Sequence, residues 1–122
     1  VNHKDLEVWK HSIGLAKAVY QLSGDFPPSE LYGLTAQIRR SAVSISSNIA
    51  EGAARGTDKE FIYFLHIALG SLAELDTQYI LSKEFGSTQG CAEVEKCIED
   101  VRKMTLGLIK HLKNKRAVKS EE

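Results

Sequence analysis

The 122-residue chain predicts an all-α fold, an antiparallel up-and-down four-helix bundle, and three observations carry that prediction. Helix breakers gather at Gly24 with Pro27 and Pro28, at Arg55-Gly56, and between Phe85 and Gly90, cutting the chain into four segments of roughly twenty to thirty residues. No segment alternates apolar and polar residues long enough for a strand, whereas each shows spacings of three and four. The composition, 43% hydrophobic and 26% charged with two prolines, is that of one ordinary globular domain and excludes disordered and collagen-like classes. A single core at this length removes roughly two-thirds of the unfolded surface from water, so no metal or disulfide staple is required. The expected bundle occupies residues 1–115, followed by a basic, then acidic, flexible tail over residues 116–122.

The first helix is expected from about Asp5 to Ser23, with Asp5 as N-cap and Leu6, Trp9, Ile13, Ala16 and Tyr20 along one face. Gly24 ends it. The second follows two prolines that cannot donate to a preceding helix, running from near Ser29 to about Arg55 with Leu31, Leu34, Ile38, Ile45 and Ile49 as its stripe. Thr57 with Glu60 three residues on forms a capping box for the third helix, and Gly56 suits a left-handed cap on the second. In the third helix Phe61, Leu65, Ala68, Leu72, Leu75 and Tyr79 step by four and three alternately, the spacing of a bundle seam. The fourth, from about Thr88 to Lys115, repeats the rhythm with Val94, Ile98, Val101, Thr105, Leu108 and Leu112.

Outside the second helix the longest uncharged run, Phe61 to Ala73, is 13 residues, short of the roughly 20 that cross a bilayer. Neither a membrane partner nor a signal peptide is expected. Cys91 and Cys97 stand six apart, a rise of about 9 Å along a helix, beyond the roughly 7 Å between Cα atoms that a disulfide spans. A reduced, cytoplasmic setting follows as the expectation. No His or further Cys stands at zinc-site spacing beside them.

Between Leu31 and Ala54 only Arg39, Arg40 and Glu51 are charged, three of 24 residues, whereas Cys91 to Lys115 holds ten charges in 25. The second helix therefore lacks the solvent face that the fourth has. At about 100° per residue Gln37, Ser41, Ser44, Asn48, Glu51 and Arg55 fall on one line, with Ala36, Val43, Ala50 and Ala53 on the far side. In the third helix Gly70, Ala73 and Thr77 lie away from the seam, and Ile62 and Leu69 flank it. This apolar surplus predicts a homo-oligomer built through the second and third helices; a wide core with a few exposed alanines is the alternative. Asn48 and Glu51 are read as part of a hydrogen-bonded network fixing helix register or subunit pairing, with Arg55 at i+4 within reach of Glu51. No histidine stands at a spacing that would turn them to catalysis.

His3, His11, His66 and His111 are scattered, and Glu7, Glu51, Glu60 and Glu74 are followed at the third place by Lys10, Ala54, Tyr63 and Thr77. The Glu-x-x-His pattern of a bundle-core metal site is therefore missing. Phosphate-binding loops and nucleophile elbows are missing as well. Neither an enzyme nor a metal or other cofactor is expected. Charge is the remaining signal: 16 basic residues balance 16 acidic ones, but Lys110 to Glu122 holds five basic against two acidic. Lys110, Lys113, Lys115, Arg116 and Lys119 form one candidate phosphate-binding set, and Arg39, Arg40, Arg55 and Lys59 a second.

Four stretches of the chain are similar to one known family: Asp5-Leu6-Glu7-Val8-Trp9; Phe26-Pro27 followed by Leu31 to Arg40; Ser44 to Gly52, which ends in Asn-Ile-Ala-Glu-Gly; and Phe64-Leu65 with Ala68 to Leu75. They resemble the 23S rRNA-intervening-sequence proteins and span most of residues 5–80; residues 86–122 match in helical pattern alone. The resemblance implies an antiparallel four-helix bundle assembling as a ring of five, encoded within inserts of bacterial large-subunit rRNA genes or elsewhere in bacterial genomes. The accessory variability proteins of diversity-generating retroelements look similar, and they imply a basic ring that binds nucleic acid and a reverse transcriptase. No catalytic residue comes with the resemblance. The expected function is a non-catalytic, ring-forming adaptor that binds structured RNA or other nucleic acid through repeated Arg and Lys side chains, without base-specific readout. A protein–protein scaffold with no nucleic-acid role is the alternative.

Overall fold

The structure, a computed structural model, describes residues 1–121 and the side chains of residues 1–118. Among the described residues four helices, α1 (Glu7–Ser23), α2 (Leu34–Ala54), α3 (Asp58–Glu84) and α4 (Ala92–Glu121), are accompanied by 3-10 turns at His3–Asp5 and Pro28–Glu30. Each helix packs on its neighbours in sequence, and α1 closes against α4. Links too short for a crossover force successive helices to run in opposite directions, so the all-α up-and-down bundle is the fold. Leu15 and Val19 of α1, Ile38, Ile45 and Ile49 of α2, Leu65 and Leu75 of α3, and Val94 and Val101 of α4 are almost completely buried and meet in one core. The α3 and α4 seams are the expected ones, with Leu108 half-buried and Ile109 added to the core.

Elsewhere the boundaries differ, each for a local reason. Asp5 does not cap α1: the Asn2 side chain accepts the Lys4 N–H at 3.0 Å and starts a 3-10 turn, after which extended Leu6 opens α1 without a side-chain cap. The buried face of α1 is Val8, Ser12, Leu15, Ala18, Val19 and Ser23, while Ile13 and Tyr20 of the expected stripe are exposed. Serines occupy this face because their hydroxyls are bonded at home: Ser12 donates to the Trp9 carbonyl at 2.6 Å and Ser23 to the Val19 carbonyl at 2.7 Å. The hydroxyl proton of Ser12 being so used, Ser46 of α2 donates to Ser12 across the 2.9 Å gap between them.

Helix α2 begins at Leu34, not near Ser29, because the Glu30 carboxylate reaches forward to accept the Leu34 N–H at 3.1 Å. Leu31 is thereby left outside the core. At its other end Arg55 leaves the helix in an extended conformation, and Gly56 does not have the expected left-handed geometry. Arg55 and an equally extended Thr57 make the reversal between them. The Thr57 hydroxyl accepts the Glu60 N–H at 3.2 Å, as the capping pattern predicts. A left-handed glycine follows α3 instead: with Gly86 at φ 78°, the Gly86 and Ser87 N–H groups bond the Lys83 and Ser82 carbonyls, the pairing of a Schellman motif. Gly90, at φ 106°, delays α4 to Ala92 rather than Thr88. Helix α4 continues past residue 115 to Glu121. Residue 122 and the side chain of Lys119 lie outside the described residues.

Candidate functional site

Helices α2 and α3 approach closely at Gly52, where a Cβ would lie 2.8 Å from Phe64 Cβ and 3.0 Å from Phe61 Cδ1. Away from that crossing the polar line of α2 meets α3. Ser41 donates to Gln78 Oε1 at 2.9 Å, and the Ser44 and Ser71 hydroxyls share a bond of 2.8 Å. The Asn48 amide donates to the Ser44 carbonyl at 2.8 Å and to its hydroxyl at 3.1 Å. Glu51 lies one turn on, paired with Arg55 at 2.6 Å, and the Arg55 guanidinium sits 4.9 Å from the centre of the Phe64 ring. Both members of this pair are half-exposed, and such a pair contributes less than about 1 kcal/mol.

A groove of about 380 Å³ opens along this line, walled by Gln37, Arg40, Ser41 and Ser44 of α2 and by Ser71, Glu74 and Gln78 of α3. Arg40 is exposed on its rim. Arg39 points elsewhere: its Nε donates to Ser23 Oγ at 2.8 Å, its Nη2 to the Tyr20 carbonyl at 3.2 Å, and its guanidinium covers the Tyr20 ring at 4.5 Å. It serves the C-terminus of α1, where a cation also meets the negative end of the helix dipole. Arg39→Ala is expected to lower stability by about 1–2 kcal/mol in urea denaturation, while Arg40→Ala stays within about 0.5 kcal/mol. Equal effects of the two would contradict the tether.

The structure does not bring the four candidate cations together. Arg40 and Arg55 are fifteen residues apart on a straight helix, about 22 Å. Lys59 lies at the Arg55 end, sharing a recess with Gly56, Thr57, Asp58 and Arg116, and Lys115 Nζ is 3.5 Å from Asp58 Oδ2. Basic side chains from the α2 terminus, the first turn of α3 and the last turns of α4 therefore form one corner of the bundle. Arg39 and Arg40 stand at the other end.

Of the candidate interface residues, Gly70 and Ala73 are exposed on α3, Ala50 and Ala36 are half-buried, and Ala53 belongs to the core. Val43 is exposed and shares a second recess with Tyr20, Leu31, Tyr32 and Ala36, a mainly apolar shoulder between α1 and α2. Sequence periodicity missed this shoulder because it placed Leu31 and Tyr20 inside. Its signal was the adjacent Leu31-Tyr32 ahead of Gly33, in the link where no helix face buries them.

Burial, with help from the Glu93 and Asp100 carboxylates, pushes the Cys97 thiol up, away from the thiolate form a nucleophile needs. Among the described residues no group of His, Cys, Asp or Glu side chains is placed to hold a metal ion, and no helix is long and apolar enough to cross a membrane. Fold and surface together define a four-helix-bundle protein with a polar α2–α3 groove, an apolar shoulder and a basic corner. Residues 4–107 match the family model described as 23S rRNA-intervening sequence protein, and the chain belongs to that family. No curated protein matches the chain.

Proposed function

We propose that the protein works as a non-catalytic, cytoplasmic homo-oligomer, a ring of five subunits in keeping with the family resemblance, and that this assembly is an adaptor for structured RNA or another nucleic acid. The observation that carries the oligomer is the shoulder. Tyr32 is 93% exposed, Leu31 50%, Val43 47% and Tyr20 45% in the single chain, and contiguous apolar surface of this kind marks an association site. The nucleic-acid part is supported by Lys59, Lys115 and Arg116 converging at one corner, which an assembly repeats in every subunit.

Light scattering on the purified protein tests the first part: a mass of 13.5 kDa at micromolar concentration, that of one chain, overturns it. Fluorescence anisotropy with a structured RNA stem and a matched DNA duplex tests the second. Binding through several phosphates falls at least about tenfold between 50 and 200 mM salt, and Lys59→Glu with Arg116→Glu should weaken it by at least about tenfold. Unaltered affinity in a correctly assembled double variant removes the corner from the contact. A protein scaffold is the second reading, favoured by the commitment of Arg39 and Arg55 within the fold and by the balance of 16 basic and 16 acidic residues. Absence of binding at low salt, with the assembly intact, selects it.

A further inference from the structure

We propose that Arg40 and Glu74 set the register of the subunit contact, Arg40 of one copy pairing with Glu74 of a neighbouring copy. The inference rests on the homo-oligomer proposed above and adds the residue pair that orients it. The two side chains stand on opposite walls of the α2–α3 groove, both are exposed, and neither takes part in a hydrogen bond or ion pair among the described residues. They differ in this from Arg39, Arg55 and Glu51, whose partners lie within the chain.

The groove floor offers an incoming molecule little, because Ser41 is already bonded to Gln78 and Ser44 to Ser71 and Asn48. Recognition therefore falls to the rim, and the rim carries one charge of each sign. A phosphate backbone approaching Arg40 meets Glu74 in the same groove and is repelled by it. Neighbouring copies of this chain carry the complement of both charges, and in a closed ring each copy gives Arg40 to one neighbour and Glu74 to the other. The planar guanidinium of Arg40 matches a carboxylate in a two-point geometry that no lysine reproduces. Val43 lines one adjoining recess with Arg40 and Leu81 lines another with Glu74, so exposed apolar surface lies near both charges, as around the polar rim of a protein–protein contact. The formal charge of the chain is zero, so copies do not repel one another as they approach.

The test is light scattering and sedimentation of Arg40→Glu, Glu74→Arg and the double exchange at matched concentrations, with thermal melts as a control of folding. Both positions are exposed on helix surfaces, so each single variant should melt close to the wild type. Each should raise the dissociation constant of the assembly by at least about tenfold, because it places like charges opposite each other. The double exchange should recover assembly to within about threefold of the wild type. Wild-type protein that is assembled, with single variants assembling equally well, overturns the pairing and leaves the homo-oligomer standing. Loss in both single variants without recovery in the double exchange also overturns it. Arg40→Glu that keeps assembly and loses RNA binding assigns Arg40 to nucleic acid and overturns it too. A monomeric wild type overturns both proposals together.

Discussion

Gly52→Ala should destabilise the folded chain by about 1–2 kcal/mol, and Gly52→Val by about 3 kcal/mol, although the same change at most helix positions does the reverse. Alanine in place of glycine inside a helix ordinarily gains up to about 1 kcal/mol of propensity. At Gly107 of α4 nothing lies within 4 Å of the position a Cβ would take, so Gly107→Ala should show that gain. At Gly52 the new carbon meets Phe64 Cβ at 2.8 Å, Phe61 Cδ1 at 3.0 Å and the Phe61 carbonyl oxygen at 3.3 Å. Phe64 Cβ and the Phe61 carbonyl are stem and backbone atoms that cannot swing aside, and the Phe61 ring is buried in the core. The two helices must separate, and that separation stretches the Ser44–Ser71 and Ser41–Gln78 bonds which hold them in register. Overpacking of about 1–3 kcal/mol then exceeds the propensity gain. Urea denaturation of the two alanine variants at equal protein concentration separates the terms. If Gly52→Ala proves as stable as Gly107→Ala, the close crossing of α2 and α3 is wrong.

The same glycine shows what the sequence disclosed and what it withheld. Asn-Ile-Ala-Glu-Gly is visible as a run of small and polar residues, and the i, i+4 spacing of Glu51 and Arg55 is enough to predict their ion pair. The reason for a glycine at its end lies in Phe61 and Phe64 of the next helix, which no local pattern encodes. The seams of α3 and α4 were legible because their buried positions are nearly all apolar and evenly spaced. The phase of α1 was not, because Ser12 and Ser23 are polar by composition and buried in fact, while Ile13 and Tyr20 are apolar and exposed. A residue alphabet records polarity, whereas burial depends on whether the hydroxyl finds a carbonyl one turn back.

The candidate site divides along the same line. Arg39 and Arg40 look equivalent in sequence, yet one helical step of about 100° sends Arg39 across to α1 and leaves Arg40 on the groove rim. The partners of Arg39, Ser23 and Tyr20, lie 16 and 19 residues away on the far side of a turn. Within that turn Glu30 accepts the Leu34 N–H at the start of α2. Charge counting sees four candidate cations. Geometry sees one serving α1, one paired with Glu51, and two exposed at opposite ends of a bundle.

Tyr79→Phe is expected to cost about 1–3 kcal/mol near neutral pH, because its hydroxyl is the tether between the end of α3 and the start of α4. The phenol is nearly fully buried; its oxygen accepts the Cys91 N–H at 2.8 Å and its proton goes to Glu95 Oε2 at 2.5 Å. Phenylalanine keeps the packing and leaves the Cys91 N–H without that acceptor. Gly90, whose φ of 106° disfavours any side chain and whose Cβ would stand 3.0 Å from the Tyr79 hydroxyl, delivers the backbone to this bond. Burial first, and then the hydrogen bond to Glu95, raise the Tyr79 phenol above its ordinary range near 10. The unfolded chain therefore loses this proton at lower pH than the folded one does. Stability from Tyr79 is fully present below about pH 10 and is lost as pH rises through the folded value. Denaturation of wild type and Tyr79→Phe from pH 8 to 11 should show a constant gap up to about pH 10 that narrows above it. A gap that stays constant across the range would mean that the hydroxyl is solvated in both states and ties nothing together.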